Sequence, residues 1–421
     1  MLTSGTQGTQ RILIVGAGIA GLALARCFDK FNIQYLLIDK NPQLSSEGAG
    51  IALPANAVKA LRHLDLHDQV LAHAHRVQKI IYTKPSGDIL SEDSLLTPPF
   101  NTEPFVALHR RQLHRILQAE VKGEIHLNSS IKEIAQAGDG VTVQFDSATL
   151  SEEKFSAVVG ADGINSTVRK SVFGEIPLVD FGVSNWRWTC PYPTRGLQPT
   201  YMLGAQDVFM AYPISENEVY CYAQIYDPKG TFVKTGRDHR RFLNKYFHPY
   251  AGIARALLPL LPDTSSIIPG RLRSVPRPFF TQGRVALVGD AGKACSPTLQ
   301  QGAACAFEDI VLSEMLNNFH LDEAFSHYQE YRESRVRWIV EASDMPMKSL
   351  PAMNSFFSLF KRNLYIQYRG PFNVQGWKKL LSIDPLAELP AFIEQKKESP
   401  HSMYAGPSVP IRTSSYRRHH K

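Results

Sequence analysis

The chain has 421 residues, 43% of them hydrophobic, a net charge of +7 and five cysteines. That length allows two packed domains, and no apolar run reaches the roughly 20 residues that span a bilayer. The balance is that of a soluble globular protein, and it excludes a transmembrane bundle. The odd set of cysteines lacks a Cys-x-x-Cys pair, which fits reduced thiols. Residues 12–25 look like a signal-peptide core but lack a charged leader, so a cytoplasmic location is expected. Arg412, Arg417, Arg418 and Lys421 supply four of the positive charges in a polar tail. Residues 401–421 therefore read as a basic, disordered end. Neither a nucleic-acid-binding module nor a metal-ligand spacing is found.

In chain order, residues 11–15 predict a buried parallel strand and 19–31 a helix. A second apolar run at 35–38 ends at Asp39, with Lys40 beside it. Between strand and helix lies Gly16-Ala17-Gly18-Ile19-Ala20-Gly21. Strand, glycine turn, helix, strand and acid form a dinucleotide fingerprint. Gly16 allows the tight turn, Gly18 lets a pyrophosphate approach the helix N-terminus, and Gly21 permits close helix–strand packing. Asp39 would accept from ribose hydroxyls. This fingerprint does not choose between FAD and NAD.

A helix is expected at 56–64 and an amphipathic one at 110–122. Strands follow at 124–127, 131–134 and 141–145, the last two joined at Gly138-Asp139-Gly140. Another buried strand, 155–160, feeds Gly160-Ala161-Asp162-Gly163. From 178 to 280 aromatic, half-buried strands dominate, at 185–190, 208–212 and 219–225. A buried strand at 285–288 then leads to Gly289-Asp290-Ala291-Gly292. Helices are expected at 301–317 and 322–343, and a further helical region at 349–397. The expected class is α/β: a Rossmann-like domain from 1–177 and 281–345, an inserted, mostly antiparallel sheet at 178–280, and C-terminal helices at 346–400. The three glycine–aspartate stretches, in this order, point to one long ligand held at several places. FAD is the best candidate.

With these motifs the chain resembles the single-component flavin monooxygenases of the aromatic-hydroxylase type, the p-hydroxybenzoate and salicylate hydroxylases among them. The resemblance spans about residues 10–345. It rests on the glycine turn, on 160–169 and on 288–292, followed by Pro297, Gln301-Gly302 and Glu308-Asp309. It implies bound FAD, a transient NADPH or NADH, molecular oxygen, and a flavin C4a-hydroperoxide that hydroxylates a phenolic or enolic ring. It assigns Asp290, Asp162, Gly163 and Gly289 to the pyrophosphate and ribityl region. Pro297 would line the flavin ring, with Gln301, Gly302 and Ala303 at its N1–O2 edge. Arg110 would bind phosphate or ribityl, Ile131 would face adenine, and Gly50 and Ile51 would belong to a loop beside a mobile flavin. Three departures stand out. Lys293 replaces a histidine, Gln300 occupies the place of a glycine, and Ala304 that of an asparagine.

Substrate contacts are expected from Arg187, Met210 and Tyr212 of the inserted sheet, and from Pro297. Val208 stands where salicylate-type relatives carry a polar residue, which disfavours a small carboxylated substrate. The aromatic C-terminal region resembles the extra helix of tetracycline-inactivating monooxygenases, which implies a polycyclic substrate and a role in antibiotic resistance. Helices at 353–381 would then cover the cavity, and truncation after about 345 would spare FAD binding. The same aromatics, with Lys361, Arg362, Lys378 and Lys379, also suit docking on a membrane surface. Trp186-Arg187-Trp188 resembles part of a flavin-dependent halogenase signature, and a flavin-binding sensor without turnover is a further alternative. Monomer and homodimer both remain open.

Overall fold

A computed structural model describes residues 11–44, 49–234 and 236–398. The basic tail at 401–421 lies outside the described residues, as does Gly48.

Apolar runs without alternation become strands covered on both faces. Ile12–Val15, Ala157–Gly160 and Val285–Leu287 are buried throughout. With Tyr35–Ile38, Ile125–His126 and Thr281–Gln282 they form a six-stranded sheet. Val285–Leu287, Ala157–Gly160, Ile12–Val15 and Tyr35–Ile38 are consecutive neighbours, all parallel. Val15 pairs with both Gly160 and Ile38, and Gly160 with Leu287. All four strands therefore end at the same level. The segments that follow them are the Gly16 turn, Asp39, Asp162 and Gly289-Asp290. They emerge side by side at the carboxyl edge, where open parallel sheets bind ligands.

The expected strand at 155–160 is two strands. Glu152–Phe155 joins a three-stranded antiparallel sheet, whereas Ala157–Gly160 joins the parallel one. The break comes at Ser156, whose backbone N–H donates to Arg11 O. The helix expected at 301–317 also divides, into Gly302–Glu308 and Val311–Asn318. Leu321–Ser349 forms one long helix.

A seven-stranded sheet makes the second layer, and five of its strands come from 178–280. Lys79–Thr83 and Ile89–Ser94 complete it from far upstream, so sheet and sequence insert do not coincide. Along Val179–Pro191 the side chains alternate. Trp186 and Trp188 fall into one buried cluster with Phe209, Cys221, Leu243 and Phe247. Asn185 and Arg187 line a cavity with Tyr222 of the adjacent strand and Met210 of the strand beyond it. The halogenase-like tryptophans are thus core residues, and only Arg187 between them reaches the cavity.

Candidate active site

The cavity has a volume of about 640 Å³ and is walled by the seven-stranded sheet, by segments that follow the parallel strands and by residues of the C-terminal helices. Gly50, Ile51, Asp290, Pro297, Gly302 and Ala303 line it, as do the expected substrate contacts Arg187 and Met210. Two families of residues named from sequence, cofactor-type and substrate-type, therefore share one chamber.

The glycine turn is built as steric reasoning requires. Gly16 has φ +104, and a Cβ there would lie 2.6 Å from Ala161 O. A Cβ on Gly21 would lie 1.8 Å from Gly16 O, so this glycine is needed for helix–strand contact. Gly18 differs, since a Cβ there would meet nothing within 4 Å. The space in front of its backbone is open, at the N-cap of the helix Ile19–Phe31. Gly163 and Gly302 face open space in the same way. Asp162 accepts from the backbone N–H of Thr167 and Val168 through one oxygen, and its other oxygen is buried without a partner among the described residues. Open backbone beside an unsatisfied buried acceptor fits an extended, hydroxyl-bearing dinucleotide.

Asp39 accepts from Ala17 N at 2.8 Å and from Asn41 N at 2.9 Å, which pins the turn to the second strand. His114 Nε2 lies 2.8 Å from Ala17 O and clamps the turn from the other side. Asp290 is exposed to the cavity but deep in the protein. Burial raises its pKa, and the positive charge of Arg110 opposes that rise.

Several residues take different places from those expected. Gly50 and Ile51 belong to a strand, Gly50–Leu53, paired with Phe105–His109, rather than to a free loop. A Cβ on Gly50 would lie 2.5 Å from the Tyr220 ring, so this glycine makes room for a tyrosine. Tyr212 is fully buried and does not line the cavity. Its hydroxyl lies 2.7 Å from the Tyr201 hydroxyl and accepts from Gln300 Nε2 at 3.0 Å. Gln301 is also fully buried, with its amide bonded to Asn56 and Leu299 O. Ile131 sits in a buried cluster with Leu36 and Ile38. Lys40 is exposed.

The departures have structural roles. Lys293 is fully buried, and its Nζ donates to Asp309 at 2.8 Å and to the Tyr328 hydroxyl at 2.6 Å. Asp309 also accepts from Gly289 N and Arg332 Nε, while Glu308 accepts from Arg332, Arg335 and Asn56. This ion network ties the Gly289 motif to the two helices behind it. Ala304 is fully buried in the core cluster that also holds Ala303 and Phe307. Gln300 has φ 54, the left-handed conformation in which glycine is the usual residue.

Sequence reasoning missed Tyr82, Tyr201, Gln300 and Asn373. Tyr82 and Tyr201 stack with ring centroids 4.6 Å apart and an interplanar angle of 2°. Tyr82 OH donates to Asn373 Oδ1 at 2.8 Å, and Gln300 Nε2 donates to Tyr201 OH at 2.7 Å. The glycine-to-glutamine departure was the one readable signal. The rest come from strands and helices distant in sequence.

The C-terminal helices are a wall of this chamber rather than a detachable cover. Arg362, Ile366 and Asn373 line it. Trp377 is buried, and its Nε1–H donates to Leu299 O at 2.9 Å. Removing everything after residue 345 would strip this core contact from the Pro297–Leu299 turn, so FAD binding is not expected to survive such a truncation.

A family model for an FAD binding domain matches residues 9–343. The chain belongs to the FAD-dependent monooxygenases of the aromatic-hydroxylase type. This monooxygenase is 31% identical over 368 residues to 2-heptyl-3-hydroxy-4(1H)-quinolone synthase of Pseudomonas aeruginosa strain PAO1, covering 85% of this chain and 93% of that protein. It is 28% identical over 344 residues to aurachin C monooxygenase/isomerase of Stigmatella aurantiaca, covering 79% and 87%. Its fold matches Klebsiella pneumoniae HpxO, solved with FAD and uric acid, with a TM-score of 0.75 at 22% identity, over 94% of this chain and 99% of that one. Tetracycline destructase Tet(51) matches with a TM-score of 0.66 at 22% identity, over 89% and 98%. The monooxygenase is an oxidoreductase with FAD as its cofactor. Among its described residues no helix is long and apolar enough to cross a membrane, and no group of three or more His, Cys, Asp or Glu could hold a metal ion.

Proposed function

We propose that this monooxygenase hydroxylates a fused, enolisable heteroaromatic ring of the 4(1H)-quinolone type, using NADH or NADPH and oxygen. The observation that carries this reading is a set of unsatisfied polar atoms among residues that line the cavity. Gln300 Oε1, Asn373 Nδ2, Arg187 Nε and Arg273 Nε are buried and have no partner among the described residues. The first is an acceptor and the other three are donors. A quinolone offers the complementary pair, a ring N–H and a carbonyl oxygen, on a flat body. Tyr82, Tyr201 and Tyr222 line the same chamber, with Met210, Met347, Leu350 and Ile366. Such walls suit an aromatic ring with an apolar substituent. The name of the Pseudomonas aeruginosa relative, a 4(1H)-quinolone synthase, supports the same class.

In this reading Gly16, Gly18 and Asp162-Gly163 hold the pyrophosphate side of FAD, and Asp290, Pro297 and Gly302-Ala303 face its ring. Bound FAD supplies electron transfer from the nicotinamide and activation of oxygen. The protein orients the substrate and excludes water, with the C-terminal helices closing the chamber. A polycyclic enol of tetracycline type is the second reading. It is favoured by those same helices, while the name of the Pseudomonas aeruginosa relative favours the quinolone.

Purified protein offered 2-alkyl-4(1H)-quinolones, simple phenols and tetracyclines is expected to oxidise nicotinamide fastest with the quinolones, with a product one oxygen heavier. Faster coupled turnover with tetracyclines would move the second reading ahead. Nicotinamide-driven oxygen uptake that no compound stimulates would favour a flavin-binding sensor. Replacing Gln300 with glycine should relieve the left-handed strain and remove the amide. KM for the preferred substrate is expected to rise roughly tenfold, the worth of one buried hydrogen bond, with FAD content unchanged. An unchanged KM would remove Gln300 from the substrate site.

A further inference from the structure

The helix Phe356–Arg369 has two faces with different tasks. Its inner side touches the chamber through Arg362, Tyr365 and Ile366, and Arg362 donates to the backbone oxygens of Leu203 and Gly204. These contacts fix the helix on the sheet. Its outer side carries Phe356, Phe357, Phe360, Leu364 and Tyr368. At 100° per residue they fall within an arc of about 120°. All five are exposed, Phe356 at 85% and Tyr368 at 81%. A water-soluble surface rarely concentrates aromatics in this way without a partner.

The charge around the stripe selects the partner. Residues 356–381 contain Lys361, Arg362, Arg369, Lys378 and Lys379, and not one Asp or Glu. Lys361, Arg369, Lys378 and Lys379 are exposed. Lys361 Nζ lies 4.3 Å from the centroid of the Phe357 ring, at the edge of the stripe. An exposed apolar arc with Lys361 at its edge, on a stretch of chain that carries cations and no acids, matches an anionic lipid interface, where aromatics enter the acyl boundary and cations meet phosphates. The helix has 14 residues and is too short to span a bilayer, so it would lie in the interfacial plane.

We infer that this helix docks the enzyme on anionic phospholipid surfaces through Phe356, Phe357, Phe360, Leu364 and Tyr368, with Lys361 on a headgroup. Docking places a wall of the active-site chamber against the lipid. The inference does not depend on which substrate the chamber takes.

The test uses the full-length, FAD-loaded protein with phosphatidylcholine vesicles, with and without phosphatidylglycerol. Co-sedimentation is expected with the anionic vesicles, weakening as salt rises. Two variants separate the contributions, Phe356→Ser with Tyr368→Ser, and Lys361→Glu. None of these three residues lines the chamber. Each variant should partition roughly tenfold more weakly, with flavin content and melting temperature unchanged. Three results would overturn the inference. The wild-type protein could stay in solution. The aromatic variant could bind as well as wild type, which would assign adsorption to basic segments such as the tail. Vesicle-free protein could run as a dimer that the aromatic variant converts to monomer, which would assign the stripe to a second copy.

Discussion

Replacing Asp309 with alanine is expected to cost about 3–5 kcal/mol of stability, enough to leave much of the protein unfolded. Asp309 accepts from Lys293, Arg332 and the backbone N–H of Gly289. Both cationic side chains are fully buried. Removing the carboxylate strands the Lys293 charge and one amide where water does not reach, and leaves Arg332 with Glu308 as its one remaining carboxylate. Tyr328→Phe deletes only a hydroxyl from the same network and should cost about 1 kcal/mol. Urea denaturation of the three proteins gives the comparison. An Asp309→Ala midpoint within experimental error of wild type would show that the network carries little stability.

The same network sets an acid limit. Burial raises the pKa of Glu308, but Arg335 and Arg332 outweigh burial and bring it to about 2. The folded value lies below the unfolded value of about 4.3. Its stabilising contribution is therefore complete above that unfolded value, and it is lost as pH falls towards 2. Glu308→Gln should be less stable at neutral pH and show a shallower loss between about pH 5 and pH 3. Parallel losses in both proteins would place the acid sensitivity elsewhere.

The second large effect is expected at Gly18. Valine there should abolish retention of FAD through gel filtration while leaving the apoprotein folded. A Cβ at this position meets no protein atom within 4 Å, so the fold tolerates it, yet it fills the space in front of the turn. Gly21→Val is the contrasting case. Its Cβ would lie 1.8 Å from Gly16 O, and the chain should fail to fold. Asp290→Ala should weaken FAD at least tenfold, as expected for loss of a hydrogen bond to a charged group worth about 1.5–3 kcal/mol. The measurements are flavin absorbance after filtration, FAD titration and circular dichroism. A folded Gly18→Val protein that keeps stoichiometric FAD would displace the pyrophosphate from this turn.

The sequence by itself determined the parallel sheet, the three cofactor motifs and the family. Each is local: a run of four buried aliphatics, a glycine where a side chain would collide, an acid one step past a strand. Period and sterics are written in neighbouring residues, so they can be read without the fold. It also carried the Gln300 departure, though not its meaning. The chamber was decided only by tertiary structure. Strands 79–94 cross into the second sheet from a hundred residues upstream, and nothing in their own pattern announces that partner. Tyr212 and Arg187 lie on one sheet with a single strand between theirs, yet hydrogen bonding turns one into a support and packing leaves the other on the cavity. Asn373 and Gln300 approach the same wall because Trp377 seats the C-terminal helices on the Pro297–Leu299 turn. Long-range pairing and side-chain burial assemble such a site, and neither has a local periodicity for the sequence to display.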